Sequence, residues 1–172
     1  MERVIRINMD NLQAKMEDTP IEFARLGGRG LSSHIIQTEV PPTCHPLSKA
    51  NKLIFAPGLL AGSIAPNSGR LSVGAKSPLT EGIKEANVGG TVGHKLGRLG
   101  IKALIVEGEP VEDRLYIIKL DKDGIVIIPC PELAGLGNYE TTVKLLQAHG
   151  KKAGIICLGP AGEMRLAAAS VA

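Results

Sequence analysis

Aromatic side chains are almost missing from this 172-residue chain, which has two Tyr, two Phe and no Trp. So sparse a set argues against stacking platforms for single-stranded nucleic acid. Charge of one sign is missing as well: 20 Lys+Arg stand against 17 Asp+Glu, a net +3 spread along the chain. That is a poor footprint for binding DNA, and nucleic acid is set aside as a partner. No apolar run exceeds a few residues, so no helix is expected to span a membrane. Met1-Glu2-Arg3 enters a strand-like run directly, and no signal peptide is expected. Cys44, Cys130 and Cys157 are the three cysteines. They lie far apart, cannot all pair with one another, and suit reduced thiols in a cytoplasmic protein. Their spacing gives neither the grouped cysteines of an iron–sulfur cluster nor the Cys/His pairs of a structural zinc site. There is no Gly-x-Ser-x-Gly elbow, no Walker loop, and no Gly-x-Gly-x-x-Gly following a strand.

What is present is a globular composition, 44% hydrophobic and 22% charged. A chain of this length buries about 70% of its unfolded surface and needs no staples, so residues 1–172 are expected to form one domain. Arg3–Asn8 alternates polar with apolar residues and predicts a half-buried strand; a turn and a second extended piece follow in Asn11–Asp18. Pro20 suits a helix N1 position, with Ile21–Leu26 helical and closed by Gly27-Gly28; Leu31–Glu39 predicts another helix, stopped by Pro41-Pro42. Lys52–Ala56 and Arg70–Lys76 read as strands, the latter with Leu71 and Val73 on one face. Glu81–Ala86 leads to Asn87-Val88-Gly89-Gly90, and Val92, Leu96 and Leu99 share one face of a helix ending at Gly100. Lys102–Glu107 predicts a buried strand. Asp113–Leu120 and Ile125–Cys130 predict a hairpin turned by Asp121-Lys122-Asp123-Gly124. Asn138 caps a predicted helix Tyr139–His149 with Val143 and Leu146 inward. Ile155–Leu158 predicts a buried strand, Gly159–Gly162 a turn, and Arg165–Ala172 a terminal strand. This order is not a βαβ alternation, so the expected fold is α+β, with mixed β-sheets and about four short helices.

Chemistry concentrates between Gly58 and Gly90. Pro57–Gly74 holds four glycines and two prolines, a stretch with so little bulk that its backbone is expected to lie close to something. Asn87-Val88-Gly89-Gly90 offers two glycines before a helix, where free N–H groups favour an anion such as phosphate; tight helix–sheet packing is the other account. Arg70, after Ser68-Gly69, is able to grip an anion bidentately or to stand as an ordinary surface residue. Lys76 and Lys84 flank the region and read as solvated lysines.

The same residues carry a family resemblance. Gly27-Gly28-Arg29-Gly30-Leu31, Pro46-Leu47-Ser48, Asn51-Lys52-Leu53-Ile54, Ala65-Pro66 and Ser68-Gly69-Arg70 follow one another in order. Lys76-Ser77-Pro78-Leu79-Thr80, Asn87-Val88-Gly89-Gly90, Val106-Glu107-Gly108 and Gly159-Pro160-Ala161-Gly162-Glu163 complete the succession. Over nearly the whole chain it resembles the N-terminal domain of the aldehyde ferredoxin oxidoreductases. That resemblance implies an oxidoreductase converting aldehydes to carboxylic acids, with ferredoxin as electron acceptor. It implies tungsten or molybdenum held by two pterin dithiolenes (a molybdopterin-type cofactor), a bridging magnesium, and a [4Fe-4S] cluster carried by other domains. By motif position, Arg70 matches an arginine between cofactor and cluster. Asn87 matches an asparagine whose backbone carbonyl contacts the magnesium, while Gly89, with Gly90 beside it, matches pterin-contacting backbone.

Two departures stand out: Leu60-Ala61 where the family often has Leu-Thr, and Glu81 where it has glycine. The cluster- and substrate-binding domains are expected to lie outside these residues, in a longer chain or a separate catalytic subunit, with homo-oligomers as a further possibility. The competing expectation is a non-catalytic binding or assembly module that keeps the fold without redox activity.

Overall fold

The computed structural model describes residues 2–171. Its core is a six-stranded sheet in the order β2-β1-β6-β3-β4-β5, made of β1 (Arg3–Asn8), β2 (Gln13–Asp18), β3 (Lys52–Pro57), β4 (Leu71–Lys76), β5 (Ile83–Val88) and β6 (Ile101–Glu107). Only β1 and β6 run parallel, and every other neighbouring pair is antiparallel. A separate hairpin joins β7 (Tyr116–Asp121) to β8 (Gly124–Pro129), turned where the sequence places it. Among the described residues four α-helices complete the α+β fold: α1 (Gly28–Glu39), α2 (Val92–Arg98), α3 (Asn138–His149) and α4 (Pro160–Glu163). None is long and apolar enough to cross a membrane.

Strand alternation sends side chains to two cores. On one face Val4, Ile54, Ala56, Ala103 and Ile105 pack under Leu31, Ile35 and Ile36 of α1. On the other, Ile5, Ile7, Phe55, Leu71 and Ile101 meet Leu96 of α2 and the apolar side of the hairpin. β1 is therefore covered on both faces, not half-buried as expected. Its one charged interior residue, Arg6, is neutralised under the C-terminal end of α1. Its guanidinium donates to Glu39 at 2.7 and 2.8 Å and to Glu17 at 3.2 Å. Lys52 joins the network through Glu39 at 2.9 Å and through Glu107. Arg6 is held well above the ordinary guanidinium range, chiefly by its hydrogen bond to Glu39.

Several local expectations give way to tertiary structure. Ile21–Leu26 is not a helix closed by Gly27-Gly28: only Ile21–Phe23 forms a 3-10 turn, and Gly28 opens α1 three residues before the expected Leu31. The glycines are there because a β-carbon on Gly27 would lie 2.7 Å from the Leu59 amide nitrogen. Glu81–Ala86 belongs largely to a strand, β5. In α2, Leu96 is buried while Leu99 remains exposed. In α3 the inward residues are Thr141 and Leu145; Val143 is 52% exposed, Leu146 is half-buried, and Gly137, not Asn138, stands at the N-cap. Ile155–Leu158 is no buried strand: Leu158 alone pairs, in a single bridge with Val171. That bridge is all that forms of the expected strand Arg165–Ala172, whose last residue lies outside the described ones. Gly159–Gly162 is largely taken up by α4.

Candidate functional site

The glycine-rich chain from Gly58 to Arg70 lies backbone-on-backbone against α2. A β-carbon on Gly97 would come within 2.2 Å of the Ala61 carbonyl oxygen, and one on Gly62 within 2.5 Å of the Gly97 carbonyl carbon. At the other end, one on Gly93 would lie 2.6 Å from the Gly69 oxygen. The expected close neighbour of this low-bulk stretch is therefore, first of all, a helix of the same chain. The loop is closed at its base by the Gly58 N–H donating to the Arg70 carbonyl at 3.0 Å. At its tip the Gly62 N–H donates to His94 Nδ1 at 2.9 Å.

That clasp delivers Arg70 to the sheet edge, where it meets Asn87. Arg70 Nε donates to the Asn87 side-chain oxygen at 2.5 Å, and Nη2 donates to the Asn87 main-chain carbonyl at 3.2 Å. Both residues are exposed. Gly89 follows so closely that its β-carbon would stand 3.2 Å from Arg70 Nη1, while Gly90, at φ +92°, faces open space. The structure thus unites Arg70, Asn87, Gly89 and Gly90 at the end of β5. Asn87–Gly90 leads directly into α2, as the sequence places it, with Thr91 at the N-cap. Arg70 is the charged side chain of the group.

The flanking lysines separate. Lys76 is buried, its ammonium donating to the carbonyls of Pro42 and of Cys44, the latter at 2.8 Å, so it is not the solvated residue expected. Lys84 is exposed, as read. Two further residues escaped the sequence reading. Glu85, two positions before Asn87, pairs with Arg29 Nε at 2.9 Å, has a side chain only 8% exposed, and keeps one buried oxygen without a partner. His94 is a tether for the loop through its Nδ1, and its only signal in the sequence is its place one residue after Gly93. Among the described residues no three His, Cys, Asp or Glu side chains converge as metal ligands.

The arrangement fits an anionic ligand lying across it. An arginine with Nη1 uncommitted among the hydrogen bonds seen faces a surface stripped of side chains. The Asn87 carbonyl accepts one hydrogen bond and, having two lone pairs, can meet a cation with the other. Fold and site together define an α+β domain that presents a single guanidinium over a bare glycine turn at one sheet edge.

A family model described as aldehyde ferredoxin oxidoreductase, N-terminal domain, matches residues 4–172. The tungsten-containing aldehyde ferredoxin oxidoreductase of Pyrococcus furiosus is 40% identical over 164 residues, which is 94% of this chain and 27% of that protein. Its counterpart in Thermococcus kodakarensis is 38% identical over the same shares. The one in Pyrococcus horikoshii is 37% identical over 98% of this chain and 28% of its own length. Among solved structures, a chain of the active-site complex BamBC of benzoyl coenzyme A reductase, in complex with 1,5-dienoyl-CoA, superposes with a TM-score of 0.91. It is 29% identical, over 99% of this chain and 26% of the other. The chain belongs to the aldehyde ferredoxin oxidoreductase family and spans about a quarter of the length of the relatives it matches.

Proposed function

We propose that this domain is the base on which a tungsten or molybdenum bis-pterin cofactor rests in an enzyme oxidising aldehydes to carboxylic acids. The observation that carries the reading is the Arg70–Asn87 pair, set beside Gly89 and Gly90 on one exposed edge. Tungsten is the metal named for the relatives.

Arg70 would donate from Nη1 to an anionic or electron-rich edge of the cofactor, its other nitrogens holding Asn87 in place. The Asn87 carbonyl would take a magnesium ion between pterin phosphates. Gly89 and Gly90 would let the ligand reach the backbone without a β-carbon in the way. When bound, such a centre supplies two-electron oxidation of the aldehyde, with electrons leaving through a [4Fe-4S] cluster to ferredoxin. The cluster, the substrate pocket and the ferredoxin contact belong in this reading to further domains or a partner subunit, in the cytoplasm.

Elemental analysis for tungsten, molybdenum and iron on natively purified protein tests the reading, with Arg70→Ala alongside. Stoichiometric tungsten or molybdenum in the wild type, reduced in the variant, is expected once the remaining domains are present. Equal metal in both, or none in either when those domains are supplied, overturns it and leaves a binding or assembly module.

A further inference from the structure

His94 touches the glycine-rich loop at two points, Gly62 and Gly69. Its Nδ1 accepts the Gly62 N–H at 2.9 Å, while its ring edge packs so tightly on Gly69 that a β-carbon there would lie 2.9 Å from Cδ2. The residue after Gly69 is Arg70. A backbone N–H can donate only to an unprotonated nitrogen, so this bond requires a neutral imidazole with its hydrogen on Nε2. An imidazolium carries hydrogens on both nitrogens and would face the Gly62 N–H donor to donor.

We propose that His94 is the positioning residue for Arg70, holding the loop 58–70 in place through its unprotonated Nδ1. Where Gly93 and Gly97 of α2 meet the loop, the helix offers backbone without a side chain, so the imidazole supplies the directional contact there. Loss of the Nδ1 acceptor therefore releases Gly62, and the order of Arg70 against Asn87 falls with it. The functional consequence rests on the reading of Arg70 as a cofactor contact, whereas the tether itself is measurable without cofactor.

The test is NMR on the 172-residue chain at one pH, with His94→Asn and His94→Leu beside the wild type. The imidazole nitrogen shifts should show the Nε2–H tautomer. The protection factor of the Gly62 amide should fall about tenfold or more in His94→Leu, and the Arg70 Nε–H signal should lose its protection in parallel. His94→Asn keeps an acceptor, so it should recover part of that protection. The Nδ1–H tautomer, a Leu variant with wild-type Gly62 protection, or an Asn variant no better than Leu would each overturn the proposal. So would an Arg70 signal that stays protected while Gly62 opens. If the tether is found and Arg70→Ala still leaves metal content unchanged, the cofactor reading fails while this inference stands.

Discussion

Arg70 closes on Asn87 from two sides, Nε on the side-chain oxygen and Nη2 on the main-chain carbonyl, so one guanidinium orients both an amide and a peptide plane. Lysine carries its three donors on one nitrogen and cannot reproduce the planar fork that spans the amide and the peptide carbonyl. If Arg70 contacts the cofactor as proposed, Arg70→Lys is therefore expected to behave like Arg70→Ala, lowering metal retention in the assembled enzyme. Because Arg70 is exposed, both variants should melt within a few degrees of wild type. Metal content and thermal melts together check this; retention by the Lys variant would show that charge alone suffices.

The clasp between loop and helix makes a second prediction. Gly97→Ala drives a β-carbon into the Ala61 carbonyl, backbone against backbone, with nowhere for either to move cheaply. A loss of about 1–3 kcal/mol is expected, typical of overpacking. Gly82, exposed, outside the left-handed region and with nothing nearer than 3.8 Å to a β-carbon, is the matched control. Gly82→Ala should be within about 0.5 kcal/mol of wild type. Urea unfolding of the two variants separates them.

A buried hydroxyl pair offers a cycle. Ser32 Oγ and Ser72 Oγ lie 2.8 Å apart where α1 crosses β4, and both residues are fully buried. Removing the Ser32 hydroxyl deprives Ser72 of its partner, whereas Ser32 without Ser72 keeps the Arg29 carbonyl at 3.2 Å; Ser32→Ala should cost about 1 kcal/mol or more and Ser72→Ala less. The double change should cost less than the sum, because no polar group is then left unpaired. Strict additivity in denaturant unfolding would show that the two do not act as a pair.

Acid should release the Arg6 network. Burial works to raise the Glu39 carboxyl, yet hydrogen bonds from Arg6 and Lys52 hold it below its ordinary 4.5. Glu17 is lowered too, first by its hydrogen bond to Lys15 and then by Arg6. Carboxyls depressed in the folded state stabilise it fully above the unfolded value, and that contribution is lost as pH falls through the folded one. Stability should thus decline below about pH 4.5, and Glu39→Gln should flatten part of that decline. Melting temperatures from pH 7 to pH 3 decide it.

Where the sequence spoke clearly, it did so through strands with a single physical reason. β3, β6 and the β7–β8 hairpin show themselves because apolar residues recur and a turn of Asp and Gly punctuates them. β5 hid because it is an edge: Ile83-Lys84-Glu85-Ala86-Asn87-Val88 needs no apolar alternation when one side faces solvent. Ile155–Leu158 misled for the opposite reason, four apolar residues with no neighbouring strand to pair along their length. Arg70, Asn87 and the glycines were legible as motif residues. Their meeting at one edge depended on β4–β5 register, which sets Leu71 opposite Val88. His94 was illegible because its role is one hydrogen bond to a backbone 32 residues away.

The parallel pairing of β1 with β6 sets an order of assembly. β6 lies between β1 and β3, so the N-terminal hairpin and the β3–β5 meander are joined only through a strand that begins at Ile101. During synthesis both parts must wait for it, each with an open edge able to recruit a wrong neighbour. A chain interrupted before Ile101 would therefore hold two half-sheets with no strand between them, linked only through α1 and the Arg6–Glu39–Lys52 network. The complete six-stranded sheet would be a late product of folding, formed when its most distant strands are finally brought side by side.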